Sequence, residues 1–147
     1  MKTYQAKKSD IQRAWYLIDA DAQNLGRLSS AIAKLLTGKN KPIFTKHIDS
    51  GDFVVVINSD KLVITGKKKD IQKKYYHHSH FPGGLKEITL KDQIIKDSTK
   101  VIMHAVRGML PVNKLRDERL KRLKLYKDDA HQHQAQQPTL IKIEDIK

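Results

Sequence analysis

The sequence contains no cysteine. That excludes a disulfide framework, a thiolate nucleophile and any zinc site built on Cys ligands, and it fits a reducing interior. Long apolar runs are missing as well. The longest, Phe53 to Ile57, is far too short to span a bilayer. The opening Met1-Lys2-Thr3-Tyr4 lacks the apolar core of a signal peptide, so a cytoplasmic chain is expected. No internal repeat and no Ser/Gly linker interrupts the 147 residues, a length that suits one domain. The expectation is a single domain over 1–147, with a basic N-terminal arm at 1–13 and a polar C-terminal tail at 128–147.

Acidic residues are the other scarcity. Sixteen Asp and Glu stand against 29 Lys and Arg, a formal net charge of +13. Self-repulsion on this scale resists compaction and is most simply explained by a polyanion that neutralises it in the working state. Hydrophobic residues make up 39% of the chain, enough for a modest core but below the usual globular share.

What is present reads as an α/β pattern. Trp15 to Asp19 places apolar and β-forming residues in a row and predicts a strand. Leu25, Leu28, Ile32, Leu35 and Leu36 recur at spacings of three and four, which puts them on one helix face. Asp21 or Asn24 is placed to cap its start, and Gly38 to end it in the left-handed conformation. Phe53 to Ile57, bounded by Asp52 and Asn58, looks like a strand covered on both faces. Strand, helix and buried strand make a βαβ unit with a right-handed crossover. Leu62 to Ile64 follows too closely to be the parallel neighbour of that strand. Residues 67 to 84 read as a basic, aromatic, Gly-rich excursion. A second helical region covers Leu90 to Met109, with Ile94, Ile95, Val101, Ile102, Ala105 and Val106 on its apolar face and a break expected between Lys96 and Lys100. Pro111 forces a turn. Lys114 to Arg122 reads as a short basic helix with Leu115 and Leu120 turned inward, Leu123 to Tyr126 as a last strand, and the segment from Asp128 as polar loop.

The positive charge is concentrated in two places. Lys67, Lys68, Lys69, Lys73 and Lys74 face a single acid, Asp70, and lead into Tyr75, Tyr76, His77, His78 and His80, then Gly83, Gly84 and Lys86. Lysines neutralise phosphates and release counterions. Tyr and His rings stack on exposed bases or hydrogen-bond to the 2′-hydroxyl of RNA, and glycines let backbone approach a sugar–phosphate chain. A solvated loop is the ordinary explanation of a lysine run, but the adjoining aromatics and glycines favour nucleic acid. The second cluster holds Arg107, Lys114, Arg116, Arg119, Lys121, Arg122, Lys124 and Lys127 against Asp117 and Glu118. On a helix Arg119 and Arg122 share a face. Two separated clusters suggest contacts to more than one RNA segment. Lys2, Lys7, Lys8, Lys39, Lys41 and Lys46 are weaker additions.

Catalytic and cofactor readings fail on spacing. Gly38-Lys39 resembles the end of a phosphate-binding loop, but Ala33 stands where Gly is needed and Asn40 where Ser or Thr is needed. Gly26 is isolated, so no dinucleotide fingerprint exists. His78 and His80, like His131 and His133, flank one residue, without the three or four convergent ligands of a metal site. His47, Asp49, Asp52 and Asp60 are more simply caps and turns than an acid–base centre. No catalytic residue, metal or cofactor is expected.

Several segments in order resemble the bacterial large-subunit ribosomal protein L-thirteen family. They include Trp15-Tyr16-Leu17-Ile18-Asp19-Ala20, Leu25-Gly26-Arg27-Leu28 and His47-Ile48-Asp49-Ser50-Gly51-Asp52. Further on come Asn58-Ser59-Asp60-Lys61, Thr65-Gly66-Lys67-Lys68 and Tyr75-Tyr76-His77-His78-Ser79. Pro82-Gly83-Gly84-Leu85-Lys86, Gly108-Met109-Leu110-Pro111, Leu123-Lys124-Leu125-Tyr126 and Ala135-Gln136-Gln137-Pro138 complete the set. The resemblance implies a three-layer α/β/α fold with a mostly parallel four-stranded sheet plus basic loops and extensions. It implies a structural, non-enzymatic role: binding large-subunit (23S-type) rRNA early in assembly, beside neighbouring large-subunit ribosomal proteins, with the chain's own mRNA as a further partner. Departures from the family pattern are His80 in place of Gly, Phe81 of Tyr, Val112 of Lys and Arg116 of Gly. Lys127-Asp128 stands where a small residue is usual, and Gln132 and Gln134 where Pro or Ala are common.

Overall fold

The computed structural model describes residues 4–66 and 68–146; Lys2 and Lys67, both named above, lie outside them. Strand β1 (Trp15–Asp19) and strand β2 (Phe53–Ile57) have the expected bounds and pair in parallel, Trp15 opposite Phe53 and Asp19 opposite Ile57. Between them runs α1 (Leu25–Thr37). The Asn24 side chain accepts a hydrogen bond from the Gly26 N–H, and Gly38, at φ 78°, donates to the carbonyls of Lys34 and Leu35. Of the two proposed caps, Asn24 is therefore the one used. Residues 62–64 run beside the start of α1, where Val63 bridges Asn24 in parallel.

Beyond α1 and β2, the chain builds a short helix α2 (Lys69–Gln72), an antiparallel hairpin of β3 (Lys74–His78) and β4 (Leu85–Thr89), a long helix α3 (Leu90–Met109), a short helix α4 (Arg116–Lys121), and strands β5 (Leu123–Leu125) and β6 (Thr139–Leu140). The main sheet has the order β5-β2-β1-β6, with every pairing parallel. This is the expected α/β arrangement.

Four expectations need correction. Ile95, expected on the apolar face of α3, is 75% exposed. Residues 67–84 are not simply a loop excursion, because α2 and most of the hairpin fall there. The segment after Asp128 is not all loop, because β6 pairs with Tyr16 and Leu17 of β1 and forms one edge of the sheet. The basic helix α4 is shorter than 114–122 and begins at Arg116.

Strand residues alternate between faces, and the register sorts them. Tyr16 and Ile18, Val54 and Val56, and Leu123 and Leu125 point to one side. There they join Leu25, Leu28, Ile32, Leu35 and Leu36 of α1 and Leu90, Val101, Ile102 and Val106 of α3 in one apolar core. Tyr16 and Leu125 are half-buried at its rim, and each of the buried side chains contributes about 1.5–3 kcal/mol. On the opposite side Trp15 stacks on Phe53 with ring centroids 4.3 Å apart, and His133 lies 5.1 Å from Trp15.

The break expected in α3 falls at Asp97, whose backbone leaves the helical region (φ −164°, ψ 97°). Its carboxylate accepts from the N–H (3.2 Å) and hydroxyl (2.6 Å) of Thr99. Asp97 is thus the N-cap of the second half of α3, and the kink is a capped restart of the helix.

Candidate nucleic-acid interface

The first lysine cluster sits on α2 and the hairpin that follows. Lys68, Lys69, Lys73 and Lys74 are exposed, as are Tyr76, His77, His78, His80 and Lys86. The hairpin is anchored through one of its faces. Tyr75 and Ile88 oppose each other in the register and are half-buried. The Tyr75 ring meets His104 of α3 edge-on at 5.0 Å, and the Lys73 ammonium lies 5.5 Å from the same ring. Burial raises the Tyr75 hydroxyl above its ordinary pKa. Tyr75 is therefore an anchor that faces inward, whereas Tyr76, one residue on, points out and is 63% exposed. Lys74 pairs with Glu87 across the strands at 3.1 Å. The pair is open to water and weak, so Lys74 remains free to exchange partners.

The tip, Ser79 to Gly84, is tightly built. The Ser79 N–H donates to the Gly84 carbonyl (3.1 Å) and the Gly84 N–H to the Phe81 carbonyl (2.9 Å). A Cβ on Gly84 would fall 2.1 Å from the Ser79 hydroxyl oxygen, which can rotate away, and 2.9 Å from the Phe81 carbonyl oxygen, which the turn fixes, so the turn leaves little room for a side chain here. Gly83, at φ 71°, has open space around it. Of these two glycines, Gly83 is the one with the open surroundings expected of a residue that admits a sugar–phosphate chain. His80, although not a glycine, is held in the same left-handed region at φ 66°. Its N–H donates to the His78 Nδ1 at 2.9 Å.

The second cluster divides. Arg107, Lys114 and Lys121 are exposed, while Arg116 and Lys124 are half-buried. Arg119 and Arg122, expected among the RNA contacts, are instead turned into the protein, 1% and 5% exposed. Arg122 holds Asp49 with both terminal nitrogens, one of them at 2.7 Å, and donates to the Leu36 carbonyl at 3.2 Å. Arg119 Nε reaches the same carboxylate at 3.4 Å, and Arg13 approaches it at 3.6 Å. Burial alone would push the Asp49 carboxyl up. The hydrogen bonds and charge of Arg122, then of Arg119, outweigh that and hold it below its ordinary value.

The segment His47 to Asp52 is consequently a structural hub. A Cβ on Gly51 would lie 1.8 Å from the Leu36 carbonyl oxygen. Asp52, fully buried, accepts from the Ala14 N–H (2.9 Å) and pairs with Lys41. The Asp52 N–H donates to the Leu35 carbonyl (3.2 Å). The last carbonyls of α1 are thus closed by Gly38, Asp52 and Arg122, which satisfies groups that helix ends leave open. Lys41 also belongs to this interior.

Two cavities widen the basic surface beyond the expected residues. One, of about 220 Å³, lies between α2, the start of α1 and the end of α3, and is lined by Lys69, Lys73 and Met109 among others. The second, of about 310 Å³, is lined by Lys34, Lys39, Met109 and Pro111. Both are lined by Met109, and lysines of the α2 region and of the end of α1 border them. Lys34 is not among the residues that the sequence points to. Its only signal there is its place on the polar side of α1. Phe81 is not among the expected contacts either, yet it is 74% exposed at the hairpin tip. Among the described residues no three His or acidic side chains converge as metal ligands, and no helix is long and apolar enough to cross a membrane.

Comparison with known proteins gives a consistent picture. A family profile described as "Ribosomal protein L13" matches residues 13–132. The chain is 53% identical over 145 residues to the large ribosomal subunit protein uL13 of Caldanaerobacter subterraneus subsp. tengcongensis, covering 98% of this chain and all of that protein. It is 48% identical over 143 residues to the protein of the same description in Alkaliphilus metalliredigens, covering 97% and 100%. With that of Clostridioides difficile it shares 52% identity over 141 residues, covering 96% and 98%.

Proposed function

Because the chain belongs to the ribosomal protein L13 family, a structural and non-enzymatic family, we propose that it is a constituent of the large ribosomal subunit in the bacterial cytoplasm. In this reading it binds large-subunit rRNA through α2, the β3–β4 hairpin and the exposed cations of 107–124, and supports early subunit assembly beside neighbouring ribosomal proteins. The observation that carries this is the sorting of the charge. Lys41, Arg119 and Arg122 are neutralised inside by Asp49 and Asp52. Lys68, Lys69, Lys73 and Lys86 stand exposed, and no acidic partner within 4.0 Å is found for any of them among the described residues. Phosphates are the counterions that such a surface calls for. Its own mRNA, folded to present similar elements, is a further partner under the same chemistry.

The test has two parts. Native protein should co-sediment with large subunits at low salt. Purified protein should bind large-subunit rRNA with an affinity that falls steeply as salt rises, because each phosphate contact releases counterions. Protein that runs free of subunits, or whose rRNA binding ignores salt, would defeat the proposal.

A further inference from the structure

Resting on the reading of the hairpin as an RNA contact, we propose that its tip receives unpaired nucleotides, with Phe81 and the face made by Tyr76, His78 and Leu85 as the platform on which free bases stack. The register places Tyr76, His78 and Leu85 on one side of the hairpin, His78 directly opposite Leu85. Tyr76, Phe81 and Leu85 are 63%, 74% and 59% exposed. A single exposed apolar residue needs no explanation, but three gathered within ten positions of one projecting element do.

The surroundings identify the occupant. Lys68 and Lys69 are exposed on the preceding α2 and Lys86 on the other side of the hairpin, while on the platform's own face Lys74 and Glu87 offset each other. The occupant must therefore present flat apolar faces and negative charge together. A nucleotide has both, the base for the rings and the phosphate for the lysines. A base inside a duplex has neighbours on both faces, so the rings can reach only loops, bulges and ends.

The tip is also set in advance. Hydrogen bonds close the turn at Ser79, Phe81 and Gly84, and the Gly84 backbone is packed against Ser79. The His80 N–H occupies His78 Nδ1, so in a neutral His78 ring the proton lies on Nε2, a donor free for a phosphate or a 2′-hydroxyl. Open space at Gly83 leaves room for the strand to pass. An element already rigid before binding loses less entropy when it binds.

The test compares the full-length protein with Phe81→Leu, which keeps an apolar side chain but removes the ring, and Phe81→Trp, which enlarges it. Phe81 is exposed, so neither change reaches the core. Filter binding is measured on intact large-subunit rRNA and on a fully paired RNA duplex across a salt series. On rRNA, Phe81→Leu should weaken binding by about 5- to 150-fold, the range for losing one stacked base, with the salt slope unchanged and Phe81→Trp at or above the parent. On the duplex all three should bind alike. Equal rRNA binding by Phe81→Leu, or an equal loss on the duplex, overturns the stacking platform and leaves the patch to a protein neighbour. Parent protein that shows no salt-dependent rRNA binding instead defeats the RNA reading on which it rests.

Discussion

Arg122 and Asp49, 73 residues apart, form a two-pronged ion pair beneath the end of α1. The same guanidinium donates to the Leu36 carbonyl, so one side chain ties the loop before β2, the last turn of α1 and the entry to β5. A residue that composition alone assigns to the RNA surface is in fact an internal brace.

Removing one partner of this pair leaves the other charged and buried, which costs about 3–5 kcal/mol. Arg122→Met should therefore lower the urea unfolding midpoint severely, while Lys121→Gln, next to it but exposed, should leave it nearly unchanged. Equal midpoints for the two variants would show that the brace does not carry stability.

The pair also sets an acid limit. The Asp49 carboxyl is held below its ordinary value in the folded protein. Its contribution is complete above the unfolded value of about 4, and it is lost as pH falls from there through the lowered folded value. Asp97, lowered mainly by the Thr99 hydroxyl, acts in the same direction. Asp49→Asn should be less stable than the parent at neutral pH and should lose less stability between pH 6 and 3. Urea midpoints measured at several pH values read this directly, and parallel curves would remove Asp49 from the acid transition.

The glycines divide sharply. Gly51→Ala would press a methyl group onto the Leu36 carbonyl oxygen and should abolish the cooperative thermal transition or lower it drastically. Gly108, inside α3, has nothing within 4 Å of the place a Cβ would take. It should accept Ala with a gain of about 0.5–1 kcal/mol, the helix propensity difference. Thermal melts of the two variants should move in opposite directions.

The lysines of α2 and β3 bear on binding without bearing on the fold. Replacing Lys68, Lys69, Lys73 and Lys74 with Gln, together with Lys67, should reduce the salt slope of rRNA binding by about 0.7–0.9 for each phosphate no longer neutralised. The melting curve should stay within a few degrees of the parent. An unchanged slope would take this segment out of the interface.

Much of the fold is legible in the sequence because it is written locally. The continuous run at Phe53 and the three-and-four spacing from Leu25 fix β2 and α1 within a few residues of chain. The hairpin escapes such a reading because its buried side is so narrow. Tyr75 and Ile88 pack inward while Lys74, His77, His78 and Lys86 are exposed, so the segment reads as a charged loop. β6 is two residues long and exists through its pairing with β1, which no local pattern records. The arginines of α4 are misplaced by any reading that turns every charged residue to water. Arg119 lies four residues after Leu115 and four before Leu123, in phase with the apolar side, and that phase is the available signal. Its partner, Asp49, lies 70 residues away.

The order of strands in the main sheet has a consequence for synthesis. Its two central members, β1 and β2, emerge from the ribosome first, and both outer members come from the last quarter of the chain. Until residues 119–125 have been translated, the Asp49 carboxylate lacks the guanidiniums of Arg119 and Arg122 and β2 has an open flank. A prematurely terminated product therefore lacks the means to close its interior. Completion of the main sheet thus waits on residues 123–140, which supply both of its outer strands.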